Sequence, residues 1–230
     1  RVRTKHTLRY QLLQDRHIIR TCLRIIQIQI DLYRLRCWRR RRRSRTHRIL
    51  GNSTHHMSFA GSMTLRVATY MALLRDYCVS IAKHGFKKIV IVNGHGGNTA
   101  PTKTALMDIN LELGFPVYFM SYISVDERPF LETQTGMIHA CESETSMMLA
   151  YDETLVDPIY KETSGYGGGC TVHEDEGVLH TFHRMEAHTF NGVMGNSCAA
   201  TKEKGIALAD ATTKKLVEIL SDEVIWQMKV

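Results

Sequence analysis

Ile89-Val90-Ile91-Val92 runs directly into Asn93-Gly94-His95-Gly96-Gly97-Asn98. A short unbroken apolar run reads as a buried strand, and the glycines behind it impose a turn. The strand is predicted over residues 87–92. Downstream, Ala105, Leu106, Ile109 and Leu113 share one face of a helix over 101–113, with Pro101 suited to its first turn and Gly114 ending it. Residues 115–121 make the next strand, continuing toward Val125. Strand, helix and strand joined by short connections form a parallel unit, so a mostly parallel α/β sheet covered on both faces is expected. His95 then stands at the carboxyl end of a strand, where open sheets of this kind place ligands.

Upstream, Val67, Tyr70, Met71, Leu74, Cys78, Ile81 and Ala82 recur at helical spacing between Thr64 and His84, and Gly85 closes that helix. A further helix is expected over 142–151, with Glu142 and Glu144 in its first turn. A long amphipathic helix over 201–220 runs through Ile206, Ala209, Leu216, Val217 and Leu220. Residues 163–200 are rich in Gly, His, Thr and Asn with weak periodicity. An irregular stretch of that length in a compact domain reads as a pocket wall or a subunit contact.

The 230 residues divide into two parts of different character. Residues 1–50 hold 16 of the 30 Lys and Arg but only two of the 23 acidic residues, and they lack Gly, Pro, Ala and Glu altogether. The formal charge of +7 therefore belongs to this arginine-rich leader, with its unbroken run Arg39 to Arg43, and residues 51–230 are mildly acidic. Such a run suits a nucleic-acid or membrane-surface arm. The missing residue types instead mark a stretch not selected as part of this fold, such as one translated from a shifted frame. We expect the second, with nucleic acid not a partner. Ile26, Ile28 and Ile30 alternate with polar residues and would suit an edge strand. The opening Arg1, in place of Met, is what a fragment would show. Six cysteines without a CxxC pair argue against a disulfide scaffold and a thiolate zinc site. With no secretory signal and no apolar stretch of spanning length, a reducing, cytoplasmic setting is expected.

Two clusters carry chemistry. In the glycine turn, an imidazole at position 95 can bind a divalent metal or act as a base, or it can simply hydrogen-bond to the helix start. Spacing alone leaves these open. The flanking glycines would permit positive φ and close backbone approach to a ligand. At 139–146, His139, Glu142, Glu144 and Ser146 crowd a helix start, where carboxylates also serve as caps. Glu142 and Glu144 are two apart and cannot share a helical face. His55 and His56 are adjacent in a loop, so at most one is expected to face a pocket. Cys141 is expected as a small buried residue. His173, His180, His183 and His188 match no standard zinc spacing and are read as loop residues.

Taken together, Gly51-Asn-Ser-Thr-His-His-Met-Ser-Phe-Ala-Gly-Ser62, Val92-Asn-Gly-His-Gly-Gly-Asn98, His139-Ala-Cys-Glu-Ser-Glu-Thr-Ser146 and Gly195-Asn-Ser-Cys-Ala-Ala-Thr-Lys-Glu-Lys-Gly205 resemble the creatininase (creatinine amidohydrolase) family. The resemblance runs from about residue 50 to the C-terminus. It implies a three-layer α/β/α sandwich, a homo-oligomer that is often a hexamer, and two divalent ions per subunit (zinc, with manganese or iron as alternatives). It also implies hydrolysis of an amide or related carbonyl bond in a small molecule. Carried over, His95 and Glu142 are metal ligands, and Glu144 and His139 handle protons. Asn93, Gly94, Gly96, Gly97, Asn98, His55 and His56 support the site. The family also draws a glutamate, a histidine and a bridging aspartate from a loop after its first strand, and residues 1–50 contain no such loop. A competing expectation is a non-catalytic binding or structural protein with a vestigial pocket.

Overall fold

The computed structural model describes residues 51–59, 62–121, 125–162, 164–165, 180–189 and 191–230. Expectations for residues 1–50, for the stretch 122–124, for His173 and for the part of the irregular stretch at 163, 166–179 and 190 lie outside the described residues. Helix α1 spans Val67–Lys83, strand β1 Ile89–Asn93, helix α2 Thr99–Leu113 and strand β2 Val117–Ser121. Helix α3 spans Glu142–Asp152, strands β3 and β4 are Ser164–Gly165 and Gly195–Asn196, and helix α4 spans Lys202–Ser221. No described helix is long and apolar enough to cross a membrane.

β1 and β2 pair in parallel, with Ile89 opposite Val117 and Asn93 opposite Ser121. A parallel pair needs a crossover, and α2 supplies it. Because side chains alternate along a strand, the run that reads as continuously apolar serves two cores. Ile89 packs with Cys78 of α1, Ala105 and Ile109 of α2 and Val117, while Ile91 leans on the same cluster. Val92 packs with Met147 of α3 and Leu208 of α4, joined by Val90 and Met120. Helices therefore cover the sheet on both faces, the three-layer α/β/α sandwich that was expected.

The ends of the elements have local causes. Gly114 closes α2 at φ 68°, where its N–H reaches Asn110 O. The Thr201 side chain caps α4 by accepting from the Lys204 N–H. α3 and α4 cross at Gly205, where a Cβ would lie 1.9 Å from the Ser146 carbonyl oxygen. Only glycine allows that approach, which explains a residue unfavourable inside a helix. Cys141, just before α3, is fully buried.

Candidate metal centre

The strand brings His95 to the carboxyl edge of the sheet, and Asn93 holds it there. Asn93 Nδ2 donates to His95 O at 2.7 Å, and Asn93 Oδ1 accepts from His95 N at 3.3 Å. Asn98 Nδ2 donates to Asn93 Oδ1 at 3.2 Å, while Asn98 Oδ1 accepts from the Asn52 backbone N–H at 2.8 Å. All three asparagines are buried. The turn after β1 is thereby joined to the loop over 51–59. Thr102 Oγ1 donates to Asn98 O and lies 2.9 Å from the Tyr70 hydroxyl, which ties the pair of loops to α1 and α2.

That junction sets two more imidazoles beside His95. Thr54–His56 forms one turn of 3₁₀ helix. The rings of His55 and His56 lie 3.9 Å apart, and those of His55 and His95 stack at 5.3 Å. Ligand atoms of His55, His56 and His95 all fall within 4.8 Å of one another. The expectation that at most one of the adjacent histidines faces the site is corrected: the tight 3₁₀ turn brings both rings to it. Ser53, fully buried, sets its Oγ 2.7 Å from His56 Nδ1 and orients that ring.

Gly94, Gly96 and Gly97 all avoid positive φ, so the conformational reason expected for them does not hold. Gly97 is required by close approach instead. A Cβ there would meet Asn52 O at 2.6 Å and both His55 Cε1 and His95 Nε2 at 2.7 Å. A Cβ on Gly96 would enter open space.

His139 completes the cluster from the other side, its ring 4.5 Å from that of His56. Its main chain is pinned by Met194 N–H donating to His139 O at 2.8 Å. The next residue, Ala140, has φ 48°, a left-handed conformation costly for a residue with a Cβ. Glu144 Oε2 accepts from the Ala140 N–H at 2.5 Å and Thr145 Oγ1 donates to Ala140 O at 3.2 Å, holding the bend. Glu144 therefore shapes the turn that presents His139.

Glu142, expected as a ligand, bonds instead to Lys204 and to the backbone and side chain of the 132–133 turn. It is fully buried, and its carboxylate takes four hydrogen bonds. Oε1 accepts from Glu132 N at 2.9 Å and Lys204 Nζ at 2.6 Å, and Oε2 from Thr133 N at 3.0 Å and Thr133 Oγ1 at 2.7 Å. These four bonds match the roughly four acceptor sites of a carboxylate. Burial pushes its pKa up, but Lys204, Thr133 and the backbone donors outweigh that and hold it below the ordinary value. Lys204 also donates to Ala199 O at 2.7 Å and pairs with Glu132 at 2.9 Å. The sequence reading missed Lys204, and also missed Asn52 and Ser53, which stood unassigned inside a quoted motif. It missed Glu127 as well, a buried carboxylate whose pKa is raised by burial and only partly offset by Ser143 and the Met137 backbone.

The imidazoles share an electrostatic setting that keeps them neutral. His56 is pushed down to about 2, chiefly by burial and then by His139, His55 and His95. His139 falls to about 3, first by burial and then by His95 and His55, and His95 to about 4, by burial and then His55, with a backbone hydrogen bond to Asn52 opposing. Burial lowers His55 too. Neutral imidazole is the form that binds metal or accepts a proton. His95 Nε2 is buried without a hydrogen-bond partner, a polar atom that a bound ion would satisfy. The donor set thus fits a divalent ion.

A parallel α/β sandwich with converging imidazoles at its strand ends defines a class of protein that mounts a metal site on a sheet edge. The chain belongs to the creatininase family, whose profile, described as creatinine amidohydrolase, matches residues 49–220. A crystal structure from Bacteroides fragilis, of a protein assigned as a creatinine amidohydrolase, is similar at 27% identity and TM-score 0.68, covering 79% of this chain and 71% of that one. Creatininase itself is similar at 21% identity and TM-score 0.60, over 76% and 73%. Its manganese form gives 21% and 0.59, over 76% and 72%. At those identities the two creatininase structures speak to the fold alone. No curated protein sequence matches the chain.

Proposed function

We propose that the chain is a metal-dependent hydrolase acting on an amide or related carbonyl bond of a small molecule. The observation that carries this reading is the convergence of His55, His56 and His95 at the carboxyl end of β1, with His95 Nε2 buried and unsatisfied. Family membership supplies the reaction class. When bound, a divalent ion lowers the pKa of water and polarises a carbonyl.

His55, His56 and His95 would hold the ion, and Ser53 and the asparagine junction keep their rings in place. His139 is the proton carrier of this reading. Its ring is neutral, the form that can accept a proton, and it lies 4.5 Å from the His56 ring beside the candidate ligands. Glu144 is a positioning residue that acts through the Ala140 turn. The reading keeps a small-molecule substrate and a homo-oligomer as partners on the family resemblance, and the cytoplasm as the setting on the cysteine usage.

The test is release of amine or ammonia from a panel of cyclic and linear amides by the purified full chain, with and without chelator. Activity should vanish on chelation, return with metal, and be lost in His95→Ala. Hydrolysis that survives both treatments would overturn the proposal.

A further inference from the structure

The three converging imidazoles form a donor set without a carboxylate. His55 and His56 arrive on one turn and His95 on the loop after β1. Among the described residues, no Asp, Glu or Cys joins them in a group that could hold a metal. Of the two acidic residues expected nearby, Glu142 accepts four hydrogen bonds, and Glu144 accepts from the Ala140 N–H and is not in the group. Position 97 cannot supply a carboxylate either, since a Cβ there would collide with Asn52 O and His95 Nε2.

We propose that the chain holds one divalent ion per subunit on His55, His56 and His95, at a nitrogen-only site that prefers zinc-class ions to manganese or magnesium and leaves a fourth position for an exogenous ligand. This deepens the metal-centre reading above, on which it rests, and replaces the two-ion centre expected from the resemblance. Imidazole nitrogen suits zinc, copper and nickel, whereas manganese and magnesium favour oxygen. Three protein ligands with one open position is the count of catalytic rather than structural zinc sites. Tetrahedral zinc at about 2.0–2.1 Å from each nitrogen spaces them about 3.4 Å apart. Donors now within 4.8 Å must therefore draw in by about an ångström or more, and the near-parallel His55 and His95 rings must turn so that their in-plane lone pairs meet at one ion.

The experiment uses the chelator-stripped full chain, titrated separately with zinc and manganese by calorimetry and with cobalt by visible absorption. One zinc per chain is expected, bound at least about 100-fold more tightly than manganese. Cobalt should give the intense visible bands of a low-coordinate site. His55→Gln should lose zinc affinity by about 100-fold while its far-UV circular dichroism matches the parent. Should that variant fail to fold, copper bound to the parent chain replaces it, and electron paramagnetic resonance should show nitrogen couplings. Two zinc ions of similar affinity, manganese binding as tightly as zinc, an unaltered His55→Gln, or an oxygen-dominated copper spectrum would each overturn the inference. The hydrolase reading fails separately: a one-zinc site without amide hydrolysis removes that reading alone, and manganese-dependent hydrolysis with two ions removes this inference alone.

Discussion

Replacing Lys204 by methionine should unfold this protein more readily than any change at its surface charges. Its ammonium lies 2.6 Å from Glu142 Oε1, and Glu142 is fully buried. Lys204→Met keeps most of the aliphatic volume but leaves a buried carboxylate without its cation. Breaking a buried pair in this way costs about 3–5 kcal/mol. The second partner, Glu132, is mostly exposed and adds little. A domain of this size loses about 2–4 °C of Tm per kcal/mol, so a fall of roughly 6–20 °C is expected. The pH dependence has a defined sign. Glu142 is held below its ordinary pKa in the folded state, so its contribution is present above about 4.3 and lost as pH falls through the folded value. Lys204→Met should remove that contribution at neutral pH. Urea and thermal unfolding of the metal-free full chain measure it. A loss below about 1 kcal/mol would refute the buried-pair argument. Glu142→Gln provides the complementary control: stability should fall while zinc stoichiometry holds. A stable Glu142→Gln that binds zinc at least tenfold more weakly would restore Glu142 as a ligand.

Gly205→Ala should destabilise the protein by about 1–3 kcal/mol in urea, despite the better helix propensity of alanine, because the α3–α4 crossing has no space for a Cβ; a rise in stability would contradict that packing. Ala140→Gly should be neutral or stabilising by up to about 1 kcal/mol, because it relieves the left-handed strain, whereas Ala140→Val should cost at least that much. The comparison is read from urea midpoints. In acid, the metal-free protein should lose stability as pH falls from about 6.5 toward 4, because the unfolded chain protonates histidines that the folded cluster keeps neutral. A urea midpoint that stays flat between pH 6.5 and 5 would refute the neutral cluster.

The elements with strong periodicity were readable in the chain. The apolar run at 89–92 announced a strand buried on both faces, and the structure gives each alternate residue its own core. That residues two apart on a helix do not share a face was readable too, yet the resemblance led both Glu142 and Glu144 to be expected at one site. What local sequence does not record is contact across the fold. Lys204 meets Glu142 only because α3 and α4 cross at Gly205. His55 and His56 reach His95 only because Asn52 and Asn98 join two loops. Adjacent histidines are expected to diverge in an irregular loop, and the 3₁₀ turn that brings them together carries no strong local signature.

The crowding around Gly97 has a consequence for how such a site can change over evolutionary time. Its missing side chain occupies the same space as the His55 ring and the Asn52 carbonyl. A lineage could not acquire a larger residue at 97 by one tolerated step, because the loop over 51–59 would have to be rebuilt alongside it. The two segments are therefore mutually contingent. In descendants of this sequence they should covary, with glycine at 97 kept for as long as the facing loop retains its histidines.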